Sequence, residues 1–359
     1  MEHTGGRDLI VVGTSAGGLN ALTGVIAALP GDLPASVCVV QHLAPQAPGT
    51  FAPVMDRESA LPVRNAEDGV APERGHVYVA PPGRHLLVEE GRLRLWYGPR
   101  ENRVRPAVDP LFRSAASAFG PRVAGVVLSG ALDDGTMGLQ AIKAAGGAAL
   151  VQTPEHAPSP SMPQSALDYV NVDYALPARE LGATLTELAP PPDTSPSSDD
   201  AMRSSSSNAP PPRALSESEN PGDGPASEEA PNPGYAARGE LTGEEGRLVG
   251  MSCPECDGPL EELFPKAPRS YRCHEGHRFT AKSLLAGQDD AAERALRVAL
   301  RTLDERHRML RRMASDAREE ERPRMAERYE RRAEEAEGHA ESIRALLHRI
   351  GEDPAREST

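Results

Sequence analysis

The stretch over residues 8–18, DLIVVGTSAGG, constrains the chain more than any other. An apolar run of this length that breaks into a glycine cluster reads as a buried strand feeding a sharp turn. The following LNALTGVIAALP carries apolar residues at helical spacing and stops at Pro30. Ser15 therefore falls between a strand and a helix. Gly13-x-Ser15-x-Gly17 fits a nucleophile elbow, in which glycines permit unusual dihedrals and close backbone approach while the hydroxyl stands at the end of the sheet. The helix behind it offers N–H groups and a positive dipole end to a developing oxyanion. Read without chemistry, the same stretch is a Gly-rich strand–helix turn. It meets neither the dinucleotide pattern G-x-G-x-x-G nor the P-loop pattern, which needs a lysine.

Two later stretches repeat this logic. ASVCVVQHL is a second buried-strand pattern and ends at His42. In a parallel sheet, His42 then shares the carboxyl edge with Ser15, where catalytic groups of doubly wound sheets collect. Cys38 within it reads as a small core residue. RVAGVVLSGALDDGTMGLQAIKAAGG is strand, polar glycine-bounded loop and amphipathic helix, with Asp133 and Asp134 in the loop. A carboxylate there can orient an imidazole and stabilise its protonated form, or serve only as a helix cap. Between these blocks, HVYVAPPGRHLLVEEGRLRLWYG reads as β-hairpin material, and VDPLFRSAASAFG as a helix with Phe112, Ala115, Ala116 and Phe119 on one face. The order Ser, His, Asp differs from the Ser, Asp, His order of ordinary α/β-hydrolases and speaks against that fold.

These blocks, together with VVQHLAPQAPGTF, VYVAPPGRHLLV, RPAVDPLFRSAA and VQTPEHAPSPSMPQSAL, resemble the catalytic domain of the CheB family of chemotaxis protein-glutamate methylesterases over most of residues 8–175. The resemblance implies an α/β doubly wound, mostly parallel sheet and a triad of Ser15, His42 and Asp134. Asp133 is the alternative acid if the loop register differs. It also implies a reaction: demethylation of glutamate γ-methyl esters on chemoreceptors with release of methanol, and deamidation of receptor glutamines by the same acyl chemistry, with no catalytic cofactor. The partners so implied are methylated chemoreceptor cytoplasmic domains and other chemosensory signalling proteins. Two departures touch the site: Ala16 where the family often has Ser or Thr, and Ala131-Leu132 where it often has Met-Gly. A non-catalytic scaffold of a chemosensory array is the alternative these departures leave. The first strand begins by residue 8, which implies that no phosphorylated receiver domain precedes it here.

The rest of the chain is different in character. Residues 186–245 hold 3 basic and 12 acidic side chains, against 14 and 18 over residues 1–185 and 22 and 23 over residues 246–359. The formal charge of −14 thus resides mainly in the middle, and no part has the basic balance of a nucleic-acid binder. Residues 188–245 are dominated by Pro, Ser, Ala, Gly and acids, a composition that cannot offset its ordering entropy, and read as a disordered linker. Next, Cys253-x-x-Cys256 followed by Cys273 and His277 supplies four soft or borderline ligands, and a structural zinc fits the set, with His274 as the alternative nitrogen. This zinc-ribbon-like module, residues 246–287, resembles an extension found on some relatives without a receiver. Residues 288–352 show Leu296, Leu303 and Leu310 at seven-residue steps, then Ala333, Ala336 and Ala340, with Pro323 between. They read as a helical hairpin or coiled coil. Residues 1–187 form the catalytic unit in this reading. No signal peptide or membrane-length apolar run is visible, so a cytoplasmic location without membrane insertion is expected.

Overall fold

A computed structural model describes residues 6–44, 46–47, 51–189, 246–264 and 268–351. The expected linker falls outside these from residue 190 onward.

Seven parallel strands form the main sheet: β1 (Leu9–Thr14), β2 (Ser36–Gln41), β3 (Val63–Asn65), β4 (Val77–Val79), β7 (Val123–Val127), β8 (Ala148–Gln152) and β9 (Tyr174–Leu176). Their order is β3-β4-β2-β1-β7-β8-β9. β1, β2, β7 and β8 are buried on both faces, which is why their sequences are continuous apolar runs rather than alternating ones. Helices cover both sides. α1 (Gly18–Ala27), α2 (Phe51–Asp56) and α6 (Ala178–Leu188) pack Leu22, Ile26, Met55 and Leu185 on one face. α3 (Val108–Phe119), α4 (Thr136–Ala144) and α5 (Ser161–Tyr169) pack Phe112, Leu139, Ile142 and Met162 on the other. The chain winds outward from β1 through β2 to β4, then crosses back to β7 on the far side of β1. The switch point therefore lies between β1 and β7, the place where such sheets open a crevice at their carboxyl ends.

The hairpin expected from residue 76 onward is shorter than the sequence suggested. Only β5 (His85–Glu89) and β6 (Arg92–Trp96) pair antiparallel. Val77–Val79 is instead β4, held between β2 and β3 in the parallel sheet. All three of its residues are buried, so a run this short carries no alternation to distinguish it from a hairpin strand.

The C-terminal part begins with a four-stranded antiparallel sheet of β10 (Arg247–Ser252), β11 (Pro259–Phe264), β12 (Ser270–Cys273) and β13 (Arg278–Thr280). Leu260, Tyr271, Phe279 and Leu284 form its small core with Cys253 and Cys273. Two helices follow: α7 (Ala281–Glu319) and α8 (Pro323–Gly351). They fold back as an antiparallel hairpin that buries Leu310, Ala314 and Ala317 of α7 and Ala326, Ala333, Ala336 and Ala340 of α8. Small residues along this seam allow close helix approach. α7 starts at Ala281, seven residues before the sequence boundary at 288, because Thr280 and Ser283 form a reciprocal capping box. No helix among the described residues is long and apolar enough to cross a membrane.

Candidate active site

Ser15 directly follows β1. Its amide donates to Ser129 O at 2.9 Å, which ties the end of β1 to the end of β7. Two glycines keep the turn open. Gly17 has φ +69°, a left-handed conformation that favours glycine. A Cβ on Gly130 would lie 2.8 Å from Ser15 Cβ and 2.0 Å from Met162 Sδ, so only glycine fits beside the serine. His42 directly follows β2, and its amide donates to Thr14 O at 3.1 Å. Gln41 Nε2 donates to Ser15 O at 3.2 Å, linking the two strand ends again.

Ser15 Oγ lies 2.9 Å from His42 Nδ1, and His42 Nε2 lies 2.7 Å from Asp134 Oδ2. An ionised Asp134 can only accept, so Nε2 carries the ring proton and Nδ1 is left to accept from the serine hydroxyl. The ring is thus used the opposite way round from the familiar triad, in which Nε2 faces the serine. The imidazole is mostly covered, with 13% of its side chain exposed.

Asp134 is buried and surrounded by donors. Oδ2 accepts from His42 Nε2 and from the Val108 amide at 2.7 Å. Oδ1 accepts from Asn102 Nδ2 at 3.0 Å and from the Asp109 amide at 3.2 Å. All four acceptor positions of the carboxylate are filled, two of them by the first amides of α3. Burial by itself would raise its pKa. The hydrogen bond and charge of His42, followed by the Val108 and Asn102 donors, bring it below the ordinary carboxylate value.

Asp133, the neighbouring acid, points elsewhere: Thr280 Oγ1 donates to its Oδ1 at 2.8 Å. Burial pushes its pKa up to about 6, against the Thr280 hydrogen bond and the Lys282 charge. A third buried acid, Asp109, accepts from Asn102 Nδ2 at 3.0 Å and from the Gly138 amide at 2.6 Å. Burial first, then the adjacent Asp134 charge, pushes it well above the usual carboxylate range. Sequence reasoning gave no role to Asn102, Asp109, Thr280 or Ser283. The one signal available was Thr280-x-x-Ser283 ahead of an apolar pair, an imperfect capping-box pattern.

The second cluster lies in the C-terminal sheet. Ligand atoms of Cys253, Cys256, Cys273 and His277 all lie within 4.8 Å of one another. Cys253 and Cys256 follow β10, Cys273 ends β12, and His277 precedes β13. Two tight turns present them, with Asp257 at φ 58° after the first pair and Gly276 at φ 88° inside the second. Cys256 Sγ lies 3.6 Å from Cys273 Sγ, and His277 Nδ1 lies 3.4 Å from Cys273 Sγ and 3.8 Å from Cys253 Sγ. Four tetrahedral ligands at about 2.3 Å from one ion are separated by about 3.8 Å, so the donor set fits a metal of that size. Burial pushes the Cys253 thiol up to about 12 and lowers the His277 pKa. Without a cation the thiol holds its proton, and a bound dication would expel it. His274 is exposed and pairs with Glu275 at 3.1 Å, outside the cluster.

A serine, a histidine and a buried carboxylate stand in hydrogen-bonded series at the switch point of a doubly wound parallel sheet, an arrangement of the kind serine hydrolases use but in a chain order other than that of ordinary α/β-hydrolases. Residues 10–185 match the CheB methylesterase family. The chain is 37% identical over 170 residues to a putative protein-glutamate methylesterase/protein-glutamine glutaminase of Leptospira interrogans, covering 47% of this chain and 88% of that protein. It is 41% identical over 181 residues to the protein-glutamate methylesterase/protein-glutamine glutaminase 2 of Anaeromyxobacter dehalogenans, covering 50% of this chain and 53% of the relative. Among solved structures, the crystal structure of the Thermotoga maritima CheB methylesterase catalytic domain is similar, with 35% identity and a TM-score of 0.49, covering 52% of this chain and 100% of that one. The chain belongs to the CheB methylesterase family. It spans about half the length of the Anaeromyxobacter relative, and the family match ends at residue 185, before the C-terminal sheet and helices of this chain.

Proposed function

We propose that the chain hydrolyses glutamate γ-methyl esters on chemoreceptor cytoplasmic domains and deamidates receptor glutamines, with Ser15 as nucleophile, His42 as base and Asp134 as its orienting acid. The hydrogen-bonded series from Ser15 Oγ through His42 to Asp134, at 2.9 and 2.7 Å, carries this reading. Ser15 Oγ attacks the γ-carbonyl while its proton passes to His42 Nδ1. The imidazolium is stabilised by Asp134 through Nε2–H. His42 returns the proton to the departing methoxide, which leaves as methanol, or to the departing amide nitrogen, which leaves as ammonia. Water, deprotonated by the same nitrogen, cleaves the acyl-enzyme to free glutamate.

The oxyanion needs N–H donors near Ser15. The Ser15, Gly18 and Gly130 amides are already used, by Ser129 O, Ser15 O and Ser159 O. This favours the Ala16 and Gly17 amides and the 131–134 loop. Backbone donors are unaffected by the alanines at 16 and 131. The donor set, spacing and turn geometry support a structural zinc held by Cys253, Cys256, Cys273 and His277, with all four positions filled by protein and therefore no part in the chemistry. A cytoplasmic location and other chemosensory signalling proteins as partners belong to this reading, and the proposed substrate on the cytoplasmic side of the receptor supports them.

The experiment is methanol release from methylated receptor membranes by the wild-type chain and by Ser15→Ala. Release that disappears with the serine supports the esterase and its nucleophile together. Release that persists in Ser15→Ala removes the proposal.

A further inference from the structure

The triad does not end at Asp134. Asn102 Nδ2 donates one hydrogen to Asp134 and the other to Asp109, both at 3.0 Å. The other end of the same amide, Oδ1, accepts from the Thr280 amide at 3.1 Å and from Ser283 Oγ at 2.9 Å. Both donors belong to the capping box that starts α7, in the C-terminal part of the chain. An amide flipped the other way would set its oxygen against two carboxylates and its nitrogen against the Thr280 amide, which can only donate. The capping box and the carboxylates therefore enforce one orientation from opposite sides. These groups are deeply buried: Asn102 is 6% exposed, Thr280 2% and Ser283 0%.

The loop that carries Asn102 is fixed independently. His85 holds both of its ends, with Nε2 3.0 Å from Pro99 O and Nδ1 accepting from the Ala107 amide at 3.2 Å. In the middle, Asn102 N donates to Arg278 O at 2.9 Å, and Glu101 bridges to Arg278. The last strand of the C-terminal sheet is thus laid along the loop that holds the catalytic acid. Asn102 itself sits at φ 50°, a conformation asparagine tolerates better than most residues.

Taking the serine-esterase reading as given, we infer that Asn102, Thr280 and Ser283 are positioning residues for Asp134, so that the C-terminal module completes the active site instead of being appended to it. The capping box holds the Asn102 amide, the amide fills the fourth acceptor position of Asp134, and the filled carboxylate holds the His42 ring at the serine. The catalytic fold covered by the family match lacks the two donors from α7, and in this chain they come from a segment about 180 residues away.

The test uses the full chain. Ser283→Ala removes one oxygen and leaves the Thr280 cap and its amide, while Asn102→Ala removes the donor to Asp134. Methanol release should show kcat lower by several-fold in Ser283→Ala and by about tenfold or more in Asn102→Ala, the loss given by one hydrogen bond to a charged group, with KM unchanged. Thr280→Ser keeps the hydroxyl and should retain wild-type kcat. Arg100→Ala removes the 3.3 Å ion pair to Glu255 at the same interface and should also leave kcat unchanged, which separates docking of the module from the hydrogen-bond relay. A second readout needs no substrate: the downfield NMR signal of the His42 Nε2 proton should shift and exchange faster in Ser283→Ala and Asn102→Ala but not in Arg100→Ala. Wild-type kcat together with an unmoved proton signal in Ser283→Ala and Asn102→Ala overturns the inference. An inactive wild type removes the esterase reading alone, because the proton signal still decides whether α7 positions Asp134.

Discussion

Asp133 and Asp134 are adjacent in sequence and opposite in condition, and replacing each by asparagine separates them. Asp133 has a pKa pushed from 3.8 to about 6 by burial. An acid raised on folding binds its proton more tightly in the native state, so its contribution is neutral at low pH and turns unfavourable as pH rises through the window from 3.8 to about 6. The cost reaches roughly 3 kcal/mol at pH 8 and is about half that at pH 5. Asparagine has the same shape, keeps an acceptor for Thr280 Oγ1 and carries no charge. Asp133→Asn should therefore stabilise the full chain by up to about 3 kcal/mol at pH 8, with the gain shrinking by about 1.4 kcal/mol at pH 5. Urea unfolding followed through Trp96, the chain's one tryptophan, measures this at both pH values. Its ester hydrolysis should stay within about threefold of wild type, whereas Asp134→Asn should lose on the order of 10⁴ in kcat by presenting the wrong group to Nε2. A gain that is equal at pH 5 and pH 8 would refute the burial argument. Loss of activity in Asp133→Asn but not in Asp134→Asn would move the orienting acid to Asp133.

Gly130→Ala should abolish ester hydrolysis and lower the melting temperature, since its Cβ would meet Ser15 Cβ at 2.8 Å and Met162 Sδ at 2.0 Å; overpacking of this kind costs about 1–3 kcal/mol, and a differential scanning measurement with the activity assay reads both effects. Treatment with a chelator should release the strands around Cys253 and Cys273 to limited proteolysis while α3 and the parallel sheet stay protected, and atomic absorption should find close to one zinc per chain before treatment; an unchanged digestion pattern counts against a structural ion. Phe112→Ala should destabilise the catalytic fold by about 3–5 kcal/mol, because Phe112 is fully buried between α3, α4 and the sheet, and denaturant titration checks it.

What the sequence showed and what it hid follow from distance along the chain. β1 with α1, β2, and β7 with α4 were legible because each is a local pattern: an apolar run, a glycine turn and a helical period. Ser15 and His42 directly follow such runs and Asp134 lies in the glycine-bounded loop after the third, so local pattern was enough to single out the three residues that the fold brings within hydrogen-bond reach. β4 was misread because three fully buried residues carry no periodicity, and β3 and β9 are as short. The start of α7 was placed late because the spacing of leucines marks the hairpin seam, whereas the helix begins at a capping box upstream of that seam. Asn102 lies in an irregular loop, and its partners Thr280 and Ser283 are 178 and 181 residues away. No pattern within a window can pair residues so far apart. The use of Nδ1 toward the serine was equally out of reach, since it depends on which side of the ring Asp134 approaches.

Three buried carboxylates, Asp109, Asp133 and Asp134, stand within one hydrogen-bond network, and water would normally be needed to keep so many charges apart. The donors decide which of them ionises most readily. Asp134 receives four: two helix amides, one side-chain amide and the imidazole. It is held below the usual range even though burial acts against it. Asp109 receives two and faces the Asp134 charge, and Asp133 receives Thr280 Oγ1. Both are raised. Environments that push neighbouring acids apart in this way assign their roles. The acid with the fullest donor set is also the one in contact with the imidazole, so the carboxylate that ionises most readily is the one the His42 ring faces. Two of the groups that sustain this division, Asn102 and Thr280, are themselves joined across the boundary between the parallel sheet and the C-terminal module. Loosening that boundary would therefore disturb the charge at Asp134 before it disturbed the fold around Ser15.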